Sequence, residues 1–179
     1  MKKAGVIYSE GSHRWLAITR DPERPDYLID TNEYLIAHDG HAVLCDPGGT
    51  EIFPAVFSAV SEQFDPRQIE TIFASHQDPD IISSLALWLE FNPRIKCHVS
   101  WLWASFIPHF GGNADTFVAI PDGGAKLAVG AATLEAVPGV STLLRKLVEA
   151  TVERYDNLFN ESSFVRVGGT QLPTLERLF

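Results

Sequence analysis

His76, Asp78 and Asp80 occupy alternate positions in the short segment from Ala74 to Ile81. One imidazole and two carboxylates form a nitrogen and oxygen donor set suited to divalent first-row cations. The segment follows Ile69 to Phe73, whose β-branched and aromatic residues read as a buried strand. It precedes Ile82 to Phe91, whose apolar residues recur at helical spacing. The three side chains are therefore expected on a strand-to-helix loop, the place where a rigid sheet carries ligands and reactive groups. The same residues also suit a helix start: Asp78 as N-cap, Pro79 at the first helical position, and Asp80 beside the positive end of the helix dipole. Spacing alone leaves both readings open.

The elements that would hold this loop follow from the pattern on either side. Tyr27 to Ile29 and Tyr34 to Ile36 bracket polar residues, and Ala42 to Cys45 follows the Asp39-Gly40 turn signal, which predicts an antiparallel start. Asp46 to Gly49 ends that strand. Glu51 to Phe64 carries Ile52, Val56, Val60 and Phe64 on one helical face. Strand 69–74, helix 81–91, strand 95–99 and helix 100–110 then alternate as an α/β layer fold does. Strands are expected at 117–120, 127–129 and 132–137, a helix on 144–158 capped by Ser141, a strand at 163–167 and a terminal helix over 173–179.

Other residues capable of chemistry have simpler readings. His13, His38 and His41 fall in or beside turns and read as solvated; His98 and His109 read as structural. Trp101, Trp103, Phe106 and Phe110 read as core or subunit-interface packing. Cys45 and Cys97 fall in strands as lone, buried thiols, without the spacing of a disulfide framework or a zinc finger.

With its flanks, the loop resembles the H-x-[ED]-x-D motif of the diiron branch of the metallo-β-lactamase fold, which holds the flavodiiron proteins and smaller chemotaxis-associated oxygen-binding proteins. Tyr27 to Ile36 resembles their opening strand pair, Ala42 to Pro47 the strand ending in a structural Asp that steadies the metal loop, and Ser100 to Gly112 the oxygen-binding group in particular. The resemblance runs from Val6 to Pro138. It implies a single domain over 1–179, a metallo-β-lactamase-like αββα sandwich, incomplete in its C-terminal half.

It also implies a site. His76 and Asp78 would bind one iron and Asp80 the other, giving two irons in an intact centre. Ile81 stands where the flavodiiron reductases carry a histidine, which would leave one iron with an open position for dioxygen. The expected function is a non-haem diiron protein that binds dioxygen for sensing or slow reduction. The 179 residues carry no flavin signature, so electrons would come from an external donor, or the chain would act on a signalling partner. A homo-oligomer is expected. One alternative is a metal-dependent hydrolase, disfavoured because Ile81 replaces the last histidine of that pattern; another is a metal-free member kept for binding.

The resemblance breaks at Pro138. Thr133 to Pro138 resembles the strand that leads into the next histidine ligand, yet no histidine follows His109. Glu149, Glu153, Asp156 and Glu161 read as the solvated face of a helix. Either the centre has decayed, or something is absent near the Pro138-Gly139 junction, or a second subunit completes it.

Composition sets outer limits. Forty-five per cent of the 179 residues are hydrophobic, enough for one core. The net charge of -9, with lysines and arginines scattered along the chain, disfavours nucleic acid. No run is long enough to cross a bilayer, and the apolar run at Ala4 to Tyr8 is too short for a secretory signal, so a cytoplasmic location is expected.

Overall fold

A computed structural model describes residues 2–25, 29–104, 107–136, 164–167 and 170–173. The chain divides into two compact units, Met1–Ala136 and Val137–Phe179. The first opens with four antiparallel strands, β1 (Lys3–Glu10), β2 (His13–Thr19), β3 (Glu33–His38) and β4 (His41–Cys45). It continues with helix α1 (Phe53–Ser61), β5 (Ile69–Ala74), the short helices α2 (Pro79–Ile82) and α3 (Leu85–Phe91), β6 (Lys96–Ser100) and β7 (Phe117–Ile120). The seven strands form one sheet in chain order, and β4 to β7 pair in parallel. A hairpin of β8 (Ala125–Val129) and β9 (Ala132–Ala136) completes the unit, with β8 beside β4. In the second unit, β10 (Phe164–Val167) pairs with β11 (Thr170–Pro173).

The change from antiparallel to parallel pairing follows from the connections. Tight turns such as Asp39-Gly40, both at positive φ, return the chain beside itself, whereas the helical segments after β4 and β5 carry it across the sheet. Those helices cover one face. Leu16, Leu35, Leu44, Ile72, Cys97 and Val99 from the strands meet Val56, Val60, Ile82, Leu85 and Trp88 in one buried cluster. Trp88 is fully buried, with the Phe53 ring edge-on at 5.3 Å. Burying that much apolar surface is the main favourable term holding the layers together.

Three expectations are corrected. The antiparallel start is the β1-β2-β3 meander; residues 29–32 form no strand and Ile29 is 63% exposed, while Tyr27 and Leu28 lie outside the described residues. Helix 81–91 is two helices, interrupted at Ser83 and Ser84, whose hydroxyls bond to the preceding turn. The span expected as helix 100–110 consists of turns at 101–104 and a 3-10 segment at Ile107–Phe110. Directly after it the chain packs closely: a Cβ on Gly111, at φ +119°, would come within 2.8 Å of the Ala86 side chain.

Strand 163–167 is found at Phe164–Val167. The helix on 144–158, the carboxylates Glu149, Glu153, Asp156 and Glu161, the Pro138-Gly139 junction and residues 174–179 lie outside the described residues.

One feature was not anticipated. Lys2 is buried, and its ammonium lies 2.7 Å from Asp30 Oδ1 and 2.9 Å from Glu33 Oε2 while also donating to the Thr31 carbonyl. This cluster pins the start of the chain to the residues entering β3. At the outer border, β1 leaves Val6, Ile7 and Tyr8 about half exposed, and its register with β2 slips between Val6 and Tyr8.

Candidate metal centre

The carboxyl ends of β4 and β5 deliver two loops to one place. After β4 the chain turns through Asp46, at a left-handed φ of 56°, which Asp tolerates better than most residues. Asp46 Oδ1 accepts the Ser75 N–H at 2.8 Å, and the Asp46 N–H donates to the Phe73 carbonyl at 2.9 Å. This confirms the expectation that Asp46 steadies the loop after β5. The following turn is stitched to α2 and α3. Gly48 N–H donates to the Ile81 carbonyl at 2.9 Å, Ser84 N–H returns to the Gly48 carbonyl at 3.1 Å, and Ser84 Oγ donates to the Pro47 carbonyl at 2.9 Å. Gly48 is required here, because a Cβ would fall 2.6 Å from Ile52 Cδ1.

On this support His76 has two distinct ring partners. Its Nδ1 lies 2.8 Å from Ser75 Oγ, and its Nε2 lies 3.5 Å from Asp78 Oδ2. Both side chains are open to solvent. Burial pushes the Asp46 carboxyl above its usual range; hydrogen bonds from Ser75 and the nearby His76 oppose the rise, and Asp80 adds to it. His76 and Asp80 therefore each lie within electrostatic reach of Asp46. The structure brings His76 and Asp78 together as a pair. Among the described residues, however, no three His, Cys, Asp or Glu side chains gather closely enough to hold an ion.

The donor chemistry nevertheless fits iron. The loop offers an imidazole nitrogen with its other nitrogen engaged, as metal-ligating histidines have, together with carboxylate oxygen. Gln77 Oε1, between the two paired residues in sequence, is buried without a hydrogen-bond partner. Asp78 takes the N-cap position of α2 but makes no side-chain cap bond, so the simple helix-cap reading does not account for its carboxylate. Ile81, which carries no donor, is buried beneath.

The remaining candidates separate cleanly. His13 and His38 approach with Nδ1 atoms 3.2 Å apart, His38 also pairs with Asp39, and His41 pairs with Glu70, so these residues have definite partners rather than being merely solvated. His109 is exposed on its 3-10 segment. Trp103 and Phe110 pack against the core; Trp101 is half exposed and its indole N–H donates to Asp122; Phe106 lies outside the described residues. Cys45 and Cys97 are unpaired strand thiols; Cys97 is buried as expected, whereas Cys45 is half-buried.

Comparison with known proteins identifies the family and the fold. Residues 29–140 match the family described as ODP family beta lactamase. Among solved structures, the chemotaxis sensor ODP described as a peroxy diiron species is 33% identical, with a TM-score of 0.64, covering 76% of this chain and 53% of that one. The apo sensor from T. denticola is 32% identical, with a TM-score of 0.61, covering 78% and 54%. A flavodiiron core from Synechocystis, 17% identical with a TM-score of 0.58 and covering 75% and 36%, supports the shared fold. The metallo-β-lactamase-like mixed sheet with helices is thus established. The chain spans about half the length of the sensor structures it matches. No functionally curated protein matches it. Among the described residues no helix is long and apolar enough to cross a membrane.

Proposed function

The chain belongs to the ODP family of β-lactamase-fold proteins, and from that premise we propose that it is a non-haem diiron protein that binds dioxygen, for sensing or slow reduction. The observation that carries this reading is the orientation of His76, its Nδ1 engaged by Ser75 and its Nε2 turned toward Asp78. A sensor in the same family, about one-third identical, has been solved as a diiron species.

In this reading His76 and Asp78 hold one iron and Asp80 contributes to a second. The irons, when bound, supply the redox-active centre at which dioxygen binds. Ser75 engages the imidazole Nδ1 and orients the ring, and Asp46 holds the loop through the Ser75 amide. Ile81 keeps one side of the loop free of a further nitrogen donor. Electrons come from an external donor, or the bound state is read by a signalling partner; a homo-oligomer is the expected assembly.

The test is protein purified without oxygen. Iron near two per chain, with a visible spectrum that changes on admitting air and is lost in His76→Ala, supports the proposal. Zinc in place of iron, with hydrolysis of an ester or amide, would favour a hydrolase; no bound metal would favour a binding module.

A further inference from the structure

The same parallel strands carry a second polar locus at their opposite ends. A cavity of about 620 Å³ opens at the amino ends of β5 and β6, beneath β8. Most of its lining lies toward the amino ends of these strands, while His98 stands opposite Phe73 in the β5-β6 register. Its volume lies within the range of small-molecule sites.

Its charge is opposite to that of the chain. The sequence holds 14 lysines and arginines against 23 aspartates and glutamates, yet the lining has Arg67, Arg94, Lys96 and Lys126 against Asp39 and Glu70. Each lining acid has a histidine beside it, His38 at 3.3 Å from Asp39 and His41 at 3.0 Å from Glu70, contacts that offset the acids' charge only when the imidazoles are protonated. Arg67 is neutralised by Asp65. Lys96 donates to the Asp115 carbonyl and makes no ion pair among the described residues. Arg94 and Lys126 are exposed and make no ion pair among the described residues, although Lys126 stands opposite Glu135 in the β8-β9 register.

His98 also lines the cavity, with its Nδ1 buried and without a hydrogen-bond partner. Burial pushes this imidazole below its usual range, favouring the neutral ring, which carries one donor and one acceptor nitrogen. A buried polar atom without a partner is rare enough in folded proteins to call for a ligand or a water. Arg94, Lys96 and Lys126 on the same lining favour an anion.

We propose that this cavity binds a small polyanion carrying phosphate or carboxylate groups, held by Arg94, Lys96 and Lys126 with His98 among the lining donors. The site is independent of the iron reading, since none of its residues belongs to the His76 loop.

Calorimetric titration of the full chain with glycerol 3-phosphate and with succinate, at constant ionic strength set by sodium chloride, tests it. Saturable binding of either is expected, and the arm that binds tells phosphate from carboxylate. Arg94→Gln and Lys126→Gln should each weaken it by about tenfold, the scale of one charge-assisted hydrogen bond. Both positions are exposed, so circular dichroism should show unchanged folding. His98→Ala should weaken binding further, and its imidazole proton resonances should move on titration of the unaltered chain. No heat beyond the chloride control overturns the proposal, as does binding that persists in the double variant, which would place the anion elsewhere, including at any bound metal.

Discussion

The Ser75 N–H donates to Asp46 Oδ1 at 2.8 Å, tying the first residue after β5 to the first residue after β4. One residue later stands His76, so the direction of its ring depends on a bond made 29 residues earlier in the chain. Asp46→Ala removes the acceptor and a residue suited to the left-handed backbone at that position. The expected result is a folded protein whose iron content falls several-fold, while Asp46→Asn, which keeps an oxygen and the turn, retains most of it. Equal iron in Asp46→Ala and the unaltered protein would show that the tie is dispensable.

Ile81→His tests the open position. The new imidazole enters a site where Ile81 is only 9% exposed, so a cost of about 1–3 kcal/mol in urea denaturation is expected. If the imidazole reaches iron, the change in the visible spectrum on exposure to air should also shrink or shift. A spectrum indistinguishable from the unaltered protein would place residue 81 away from the metal.

The buried cluster at Lys2 gives a pH dependence with a definite sign. Burial raises the Glu33 carboxyl above its ordinary value of 4.5, against hydrogen bonds from Thr31 and Lys2 that lower it. The folded state then holds this proton more tightly than the unfolded chain does. Its contribution is most favourable below 4.5 and weakens as pH rises through the higher folded value. The stability of the unaltered protein relative to Glu33→Gln should therefore fall as pH rises above that point; a flat difference would contradict it. Lys2→Met, which leaves Asp30 and Glu33 buried without their cation, should cost about 3–5 kcal/mol.

Both thiols should be inert in the native protein. Burial, with the Asp46 charge adding, pushes Cys45 and Cys97 up to about 12, so almost no thiolate exists near neutral pH. Alkylation at pH 8 is expected to be slow for both and to become complete in denaturant. Fast labelling of Cys45, the less buried of the two, would show that β4 opens readily.

The periodic parts of the fold were legible in the sequence. The apolar spacing of Val56 and Val60, the β-branched run from Ile69, and the Asp39-Gly40 turn gave α1, β5 and the β3-β4 hairpin, because local pattern and final packing agree there. The β1-β2 hairpin was missed because exposure does not alternate along β1 as it does in a strand with one buried face. The break at Ser83 and Ser84 depends on hydroxyl bonds to Thr50 and Pro47, more than 30 residues away, which no local window contains. The same holds for the two polar loci. The His76 loop is contiguous and could be read directly, whereas its Asp46 support was reached only through family resemblance. The cationic cavity is built from lysines and arginines that look scattered until β5, β6 and β8 bring them together.

The slip in β1 has a consequence for how copies of this chain meet. Among the described strands β1 is an outer one, so its free side offers backbone donors and acceptors beside Val6, Ile7 and Tyr8, the kind of border that recruits a strand from another molecule. Ile7 has no partner on β2; the pairing passes from Val6–Leu16 to Tyr8–Trp15. This inserted residue bends the border and interrupts the regular alternation that an incoming strand would need to match. Removing Ile7 would straighten the border into a continuous template, turning a protected margin into a seam along which molecules could zip together.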